Sequence, residues 1–128
     1  VKVRAEKVQR VQNYIPEQEI IGSDDGDVLL VGWGGTYGAL LTACNELNEE
    51  GKKVGLAQFN YLCPTPKNTS DIFSRFKTII VCELNMGQFV GYLRSIYPDF
   101  SYQQYNKIQG LPFAVSELKE LVNGYLDR

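Results

Sequence analysis

Apolar residues along this chain fall into short continuous runs, and the segments between the runs have helical spacing. Residues 28–31 and 78–82 are rich in β-branched and aliphatic residues, and residues 54–59 form a third run. Continuous apolar runs predict strands buried on both faces, which is typical of parallel sheets covered by helices. A weaker strand is predicted for residues 101–105.

Four segments have the 3.6-residue spacing of amphipathic helices. Thr36 is expected to cap the first of them, residues 68–71 are expected to cap the second, and Gly51 and Pro98 are expected to end the first and third. The apolar positions are Leu40, Leu41, Cys44 and Leu47; Ile72, Phe73 and Phe76; Phe89, Val90, Leu93 and Ile96; and Leu118, Leu121, Val122 and Tyr125. The order βαβαβαβα predicts an α/β fold with a mainly parallel, doubly wound sheet flanked by helices.

The N-terminal part of the chain has a different character. Val8, Val11 and Ile15 recur at helical spacing before Pro16, which predicts an N-terminal linker helix over residues 1–15. Because the sequence begins with Val and not with Met, we expect it to be a piece of a longer protein. We therefore assign residues 1–22 to a linker that follows a further, upstream domain, and residues 23–128 to the α/β domain.

Charge and composition exclude several classes of function. The formal net charge is −2, and the four basic residues and one acidic residue among residues 1–12 leave the rest of the chain acidic. An acidic body argues against nucleic acid as a partner, and no apolar run approaches the length of a membrane span. The absence of His excludes Ser-His and Cys-His centres. Three widely separated Cys residues fit a reducing cytoplasm.

The glycine-rich loop after the first strand allows two interpretations. Its glycines and the following helix N-terminus could cradle a phosphate, which would make the chain a small nucleotide- or coenzyme-binding module using Gly32–Gly38. However, the spacing is GxGxxxG, not GxGxxG, and Asn60 stands where an acidic residue would hold a ribose. The alternative is a tight strand-to-helix turn.

Two further residue types could carry chemistry. Glu83 follows a buried strand and could act as a general acid or base, although a carboxylate in this position can instead cap the next helix. Cys63 could be a redox thiol, whereas Cys44 and Cys82 have the spacing of small core residues. With no CxxC pattern in the sequence, metal ligation is not expected.

Four segments carry a resemblance to a known family: residues 28–38, 61–66, 82–88 and 105–113. In this order they resemble the transketolase C-terminal-like domain of the alpha subunit of 2-oxoacid:ferredoxin oxidoreductases, especially the 2-oxoglutarate type. The stretch Arg4-Ala5-Glu6-Lys7 is similar to the segment that precedes this domain in the family.

The resemblance implies oxidative decarboxylation of a 2-oxoacid to an acyl-CoA with reduction of ferredoxin. It also implies thiamine diphosphate and Mg²⁺ between the upstream pyrimidine-binding domain and the beta subunit, an iron–sulfur cluster in the beta subunit, and coenzyme A. No catalytic, cofactor-binding or metal-binding residue is assigned to this chain, which is expected to be an inactive structural and assembly domain. The residues expected to organise interfaces with the upstream domain or the beta subunit are Gly34, Thr36, Tyr37, Asn85, Gln88, Asn106 and Gln109.

Overall fold

The computed structural model of this chain describes residues 13–62, 64–84, 88–106 and 113–127. Its strands are β1 (Ile21–Gly22), β2 (Gly26–Trp33), β3 (Val54–Phe59), β4 (Phe76–Glu83) and β5 (Tyr102–Asn106). Its helices are α1 (Tyr37–Glu49), α2 (Thr69–Ser74), α3 (Gln88–Ile96) and α4 (Val115–Leu126), and a 3₁₀ turn at Gly34–Thr36 precedes α1. The predicted N-terminal helix lies outside the described residues except for residues 13–15, which form a turn.

The described strands form one sheet in the order β1-β3-β2-β4-β5. β2, β3, β4 and β5 pair in parallel, which confirms the predicted mainly parallel sheet. β1 was not predicted, and it pairs antiparallel to β3 through Ile21 and Leu56. A strand of two residues is too short to produce a hydrophobic pattern.

The strands divide their side chains between two cores by simple alternation. In β2, Val28 and Leu30 point to one face of the sheet and Leu29 and Val31 to the other, and all four are buried. Helices α1 and α4 cover the first face, while α2 and α3 cover the second. This explains why the strands have continuous apolar runs, because a side chain on either face is removed from water.

The boundary between α2 and β4 differs from the prediction. Phe76 was predicted as a helical residue because it follows Ile72 by four positions, but α2 ends at Ser74 and Phe76 is the first residue of β4. Its backbone neighbour in the sheet is Gly26 of β2. Pairing with a central strand therefore overrides the local helical spacing.

The helix ends confirm one predicted signal and correct another. Gly51 has φ +88°, and the amides of Gly51 and Lys52 donate to the carbonyls of Asn48 and Leu47. This is the expected glycine stop after α1. Asn68 precedes α2, but its side chain makes no capping hydrogen bond to that helix.

Candidate functional site at the carboxyl edge of the sheet

The carboxyl ends of β2, β3 and β4 lie at one edge of the sheet, which we call the carboxyl edge. Trp33 at the end of β2 lies beside Phe59 at the end of β3, and Val31 lies beside Val81 of β4. This is the edge at which ligands and partners gather in open parallel sheets. The parallel register thus places the carboxyl ends of β2, β3 and β4 at this edge.

A buried carboxylate ties two of these loops together. Glu83 is the last residue of β4, and its side chain is fully buried. Its Oε1 accepts hydrogen bonds from Trp33 Nε1 at 3.0 Å and from the Phe89 amide at 2.8 Å. Its Oε2 accepts a hydrogen bond from the Val90 amide at 3.0 Å. The carboxylate thus caps the N-terminus of α3 and anchors the indole at the end of β2.

These contacts decide between the two interpretations of Glu83. Both carboxylate oxygens are occupied by N–H donors, and the group has no exposed surface from which to exchange a proton with a substrate. The helix-capping alternative is confirmed, and the arrangement offers no general acid or base at this position.

The glycine-rich loop owes two of its glycines to the fold. A Cβ on Gly32 would lie 2.3 Å from Leu40 Cδ1, so α1 can approach β2 only over a glycine. Gly34 has φ +65°, a conformation that side chains disfavour. Gly35 and Gly38 differ, because a Cβ there would meet nothing closer than 3.9 Å. Packing within the described part of the chain therefore does not require glycine at these two positions.

Thr36 has a different role from the predicted one. It precedes α1, but it makes no side-chain capping hydrogen bond, and its hydroxyl instead donates to the Trp33 carbonyl at 3.1 Å. The prediction that it caps α1 is wrong. The residue is only 3% exposed. Thr36 therefore contributes to the loop through a buried hydroxyl that bonds the Trp33 carbonyl.

A groove of about 620 Å³ opens next to this loop. We call it the acidic groove, and its lining residues include Glu17, Glu19, Gly34, Tyr37, Gln58 and Tyr61. Tyr37 and Tyr61 are 41% and 46% exposed. Gln58 Nε2 donates to the Gly34 carbonyl at 3.1 Å, which joins β3 to the glycine-rich loop.

The remaining predicted interface residues are distributed along the same edge. Gln88 is exposed at the start of α3 and lines an apolar recess of about 190 Å³ with Trp33 and Leu62. Asn106 lies beside Glu83 in the sheet, and its Oδ1 is buried without a hydrogen-bond partner in the described part of the chain. Asn85 and Gln109 lie outside the described residues.

The cysteine thiols of the described residues belong to the core. Cys44 and Cys82 are buried, as predicted. Burial raises the pKa of Cys44 to about 11, against a smaller lowering by its hydrogen bond with Asn48. Burial, together with the charge of Glu83, raises the pKa of Cys82 to about 12. Both thiols are therefore protonated and unreactive near neutral pH. Cys63 lies outside the described residues.

The described residues contain neither a metal-binding cluster nor a membrane-spanning helix. Within residues 13–62, 64–84, 88–106 and 113–127, no three His, Cys, Asp or Glu side chains are grouped so that they could hold a metal ion. In the same ranges no helix has the length and apolar character needed to cross a membrane.

One wall of the acidic groove was missed by the sequence analysis. Residues 16–19 were assigned to a linker, but Gln18 is fixed to two other parts of the chain. Its backbone amide donates to Asn68 Oδ1 at 2.8 Å, its carbonyl accepts from Asn68 Nδ2 at 2.9 Å, and its Nε2 donates to the Gln58 carbonyl at 2.9 Å. The available signal was the apolar pair Ile20-Ile21, which follows this segment and packs into the two cores.

Comparison with known proteins assigns this chain to a family. The sequence model of the family described as pyruvate:ferredoxin oxidoreductase core domain II matches residues 26–121. The 2-oxoglutarate oxidoreductase subunit KorA of Mycobacterium tuberculosis is 31% identical over 127 residues, which are 98% of this chain and 19% of that protein. The alpha subunit of 2-oxoacid:ferredoxin oxidoreductase 1 of Aeropyrum pernix is 33% identical over 132 residues, covering 97% of this chain and 20% of that subunit. The chain thus spans about a fifth of the length of these relatives.

Solved structures agree with this assignment. The 2-oxoglutarate:ferredoxin oxidoreductase from Magnetococcus marinus, with 2-oxoglutarate, coenzyme A and succinyl-CoA bound, matches with a TM-score of 0.84 and 27% identity. That match covers 92% of this chain and 21% of the other. The inactive beta4 tetramer of a split-gene transketolase shares the fold, with a TM-score of 0.54 and 15% identity over 84% of this chain and 36% of the other. The match of one family model to most of the chain shows that it belongs to the pyruvate:ferredoxin oxidoreductase core domain II family, and its relatives include alpha subunits of 2-oxoacid:ferredoxin oxidoreductases.

Proposed function

We propose that this chain is a non-catalytic structural and assembly domain of the alpha subunit of a thiamine-diphosphate-dependent 2-oxoacid:ferredoxin oxidoreductase. The observation that carries the proposal is the state of Glu83. The carboxyl edge of a parallel sheet is where a catalytic carboxylate would be expected, and the buried carboxylate there is fully used to hold Trp33 and the start of α3. The edge is built to keep its loops in a fixed shape.

The 2-oxoacid that we favour for the whole enzyme is 2-oxoglutarate. Two relatives support this choice. KorA of M. tuberculosis, which aligns with 98% of this chain, is a 2-oxoglutarate oxidoreductase subunit, and the M. marinus enzyme is a 2-oxoglutarate:ferredoxin oxidoreductase. In this proposal the whole enzyme converts the 2-oxoacid to its acyl-CoA and reduces ferredoxin in the cytoplasm. Residues outside this chain would select the substrate.

Thiamine diphosphate, Mg²⁺, coenzyme A and the iron–sulfur cluster belong, in this proposal, to other parts of the enzyme. The described residues of the acidic groove do not fit a diphosphate, because they include Glu17 and Glu19 and no Lys or Arg. A phosphate would be repelled by these carboxylates. For the same reason, charge disfavours the alternative of a nucleotide- or coenzyme-binding module.

The partners that we propose for the carboxyl edge are the upstream pyrimidine-binding domain of the same subunit and the beta subunit. Tyr37 and Tyr61 expose large aromatic surfaces there, and tyrosine is enriched in protein interfaces. The buried Oδ1 of Asn106 lacks a donor in the described part of the chain, and an N–H group from a partner could satisfy it.

Substitutions at the carboxyl edge test the assembly role. In the full-length subunit, Tyr37→Arg and Gln88→Arg should weaken co-purification with the beta subunit and lower 2-oxoglutarate-dependent reduction of a viologen dye in parallel. Ile96→Arg is the matched control, because Ile96 is 37% exposed at the far end of α3, away from the carboxyl edge. Wild-type assembly and dye reduction by both edge variants would overturn the proposal.

The isolated chain provides a second test. The 128-residue chain mixed with thiamine diphosphate, Mg²⁺, 2-oxoglutarate, coenzyme A and the dye should give no turnover. If turnover exceeds a buffer blank and disappears when the chain is omitted, catalytic groups lie in this chain and the proposal is wrong.

A further inference from the structure

The acidic groove is a preformed feature of the fold. Its outer wall, residues 16–19, is extended chain that is held at Gln18 by hydrogen bonds to Asn68 and Gln58. Its inner wall, at Gly34, is held to β3 by the Gln58 side chain. Because both walls are tied to the same strand and its following loop, binding in the groove would not require either wall to become ordered.

The charge of the groove selects what can enter it. Glu17 and Glu19 are exposed, and they flank the fixed residue Gln18. Neither carboxylate forms an ion pair with any other described residue. No Lys or Arg is among the described residues that line the groove. Two carboxylates with no ion-pair partner in the described part of the chain attract a positively charged group and repel phosphates and carboxylates.

Aromatic side chains that line the acidic groove complement this charge. Tyr37 and Tyr61 are two of the four large apolar or aromatic side chains that are exposed in the described part of the chain. Both line the acidic groove. A tyrosine ring attracts the flat face of a guanidinium group or a lysine ammonium through its negative face. The groove therefore combines carboxylates and aromatic rings, the two kinds of group that bind a basic side chain.

The backbone beside Tyr37 carries no Cβ at two positions. Gly35 and Gly38 flank the Thr36-Tyr37 pair, and no packing contact or positive φ in the described part of the chain explains either glycine. The absence of Cβ atoms leaves room for another chain to approach this backbone closely.

We propose that the acidic groove is a docking site for a segment of a partner polypeptide that presents an arginine or lysine side chain. The basic group contacts Glu17, Glu19 and the tyrosine rings, and the backbone of the segment lies against Gly35 and Gly38. This inference rests on the proposed assembly function and specifies the chemistry of one contact in it. The occupant is a basic protein segment, in contrast to a nucleotide or coenzyme, whose phosphates carry the wrong charge.

Peptide titrations of the ¹⁵N-labelled chain test the inference directly. The probes are acetyl-Ala-Arg-Ala-amide, the same peptide with Gln in place of Arg, and the same peptide with Glu. Amide signals of Gly34, Tyr37 and Gln58 should shift in a saturable manner with the Arg peptide, less with the Gln peptide, and not with the Glu peptide. The double variant Glu17→Gln/Glu19→Gln should weaken Arg-peptide binding roughly threefold to tenfold, as expected for two exposed ion pairs.

Matched variants separate charge at the groove from overall charge. Glu49→Gln/Glu120→Gln removes two exposed carboxylates from α1 and α4 outside the groove and should leave the Arg-peptide affinity unchanged. Equal shifts with the Arg and Glu peptides, no shift with any peptide, or equal losses in the two double variants would overturn the inference.

Two other occupants are distinguishable outcomes. If coenzyme A or ADP shifts the groove amides and the Arg peptide does not, the groove is a ligand site and the inference is wrong. Deletion of residues 1–12, which carry a net positive charge, tests the second occupant. If the deletion shifts the same amide signals and only the truncated chain binds the Arg peptide, the occupant is the chain's own N-terminal segment and the inference of a partner polypeptide is wrong. The inference can also fail while the proposed assembly function holds. This would be the result if Gln88→Arg disrupts assembly but the groove binds no peptide.

Discussion

Replacement of Glu83 tests how the carboxyl edge is held together. In Glu83→Ala the indole of Trp33 and the amides of Phe89 and Val90 lose their acceptor. Phe89 and Val90 are buried, so water cannot replace the carboxylate at their amides without opening the structure. The variant should therefore lose stability even though no contact to a ligand is removed.

The geometry predicts different losses for two substitutions. Each buried donor left unpaired costs about 1–3 kcal/mol, and relief from burying a charge offsets part of that sum. We expect Glu83→Ala to lower the free energy of unfolding by about 3–5 kcal/mol. In Glu83→Gln the amide oxygen can take the place of Oε1 and keep the Trp33 and Phe89 bonds, while the amide nitrogen faces the Val90 N–H. That variant should lose only about 1–3 kcal/mol.

Urea unfolding measures these differences, and the probe is built into the site. Trp33 is the only tryptophan of the chain, so its fluorescence reports on the indole that Glu83 holds. Far-ultraviolet circular dichroism of the same samples reports the whole fold, and coincident curves justify a two-state treatment. Glu49→Ala, at the exposed end of α1, is the control and should change stability by less than about 0.5 kcal/mol.

Two results would refute this reasoning. A loss below about 1 kcal/mol in Glu83→Ala would mean that the carboxylate does not satisfy the three donors. An equal loss in the Gln and Ala variants would mean that the division of the hydrogen bonds between Oε1 and Oε2 is wrong.

Two further predictions concern packing and pH. Gly32→Ala should destabilise the fold by about 1–3 kcal/mol, because its Cβ would lie 2.3 Å from Leu40 Cδ1. The control Gly124→Ala, which has open space around the new Cβ, should raise the melting temperature slightly. Equal melting temperatures of the two variants would contradict the close approach of α1 to β2. The free energy of unfolding should also fall above pH 9, by up to ~1.4 kcal/mol per pH unit per thiol. The reason is that the thiols of Cys44 and Cys82 have a pKa near 9.0 in the unfolded chain, but a pKa of about 11 and about 12 in the folded chain. Urea titrations at pH 8–11 measure this slope, and a flat profile would contradict the burial of both thiols.

The secondary structure was largely predictable from the sequence because its strands are buried on both faces. The runs at 28–31 and 78–82 predict β2 and β4 without any knowledge of what they pair with. Gly51 likewise marks the end of α1, because a left-handed residue is needed there. The family resemblance was also visible in the sequence, because it is carried by four short motifs in a fixed order along the chain.

Other features depended on contacts between distant parts of the chain. Phe76 has helical spacing from Ile72, and only its pairing with β2 makes it a strand residue. Asn68 has the chemistry of a helix cap, but its side chain bonds the backbone of Gln18, fifty residues away in sequence. Tertiary contacts readily override local preferences such as helical spacing and helix capping.

The role of Glu83 was decided only by the tertiary structure. The sequence by itself determined that Glu83 ends a buried strand near a glycine-rich loop and a helix start, and this left both a catalytic role and a capping role open. The fold brings the Trp33 indole and the Phe89 and Val90 amides to the carboxylate, and it brings residues 16–19 against β3 to form the acidic groove. A sequence pattern reports which residues prefer to be buried, but hydrogen-bond partners and surface shape arise from residues that meet only when the sheet is assembled.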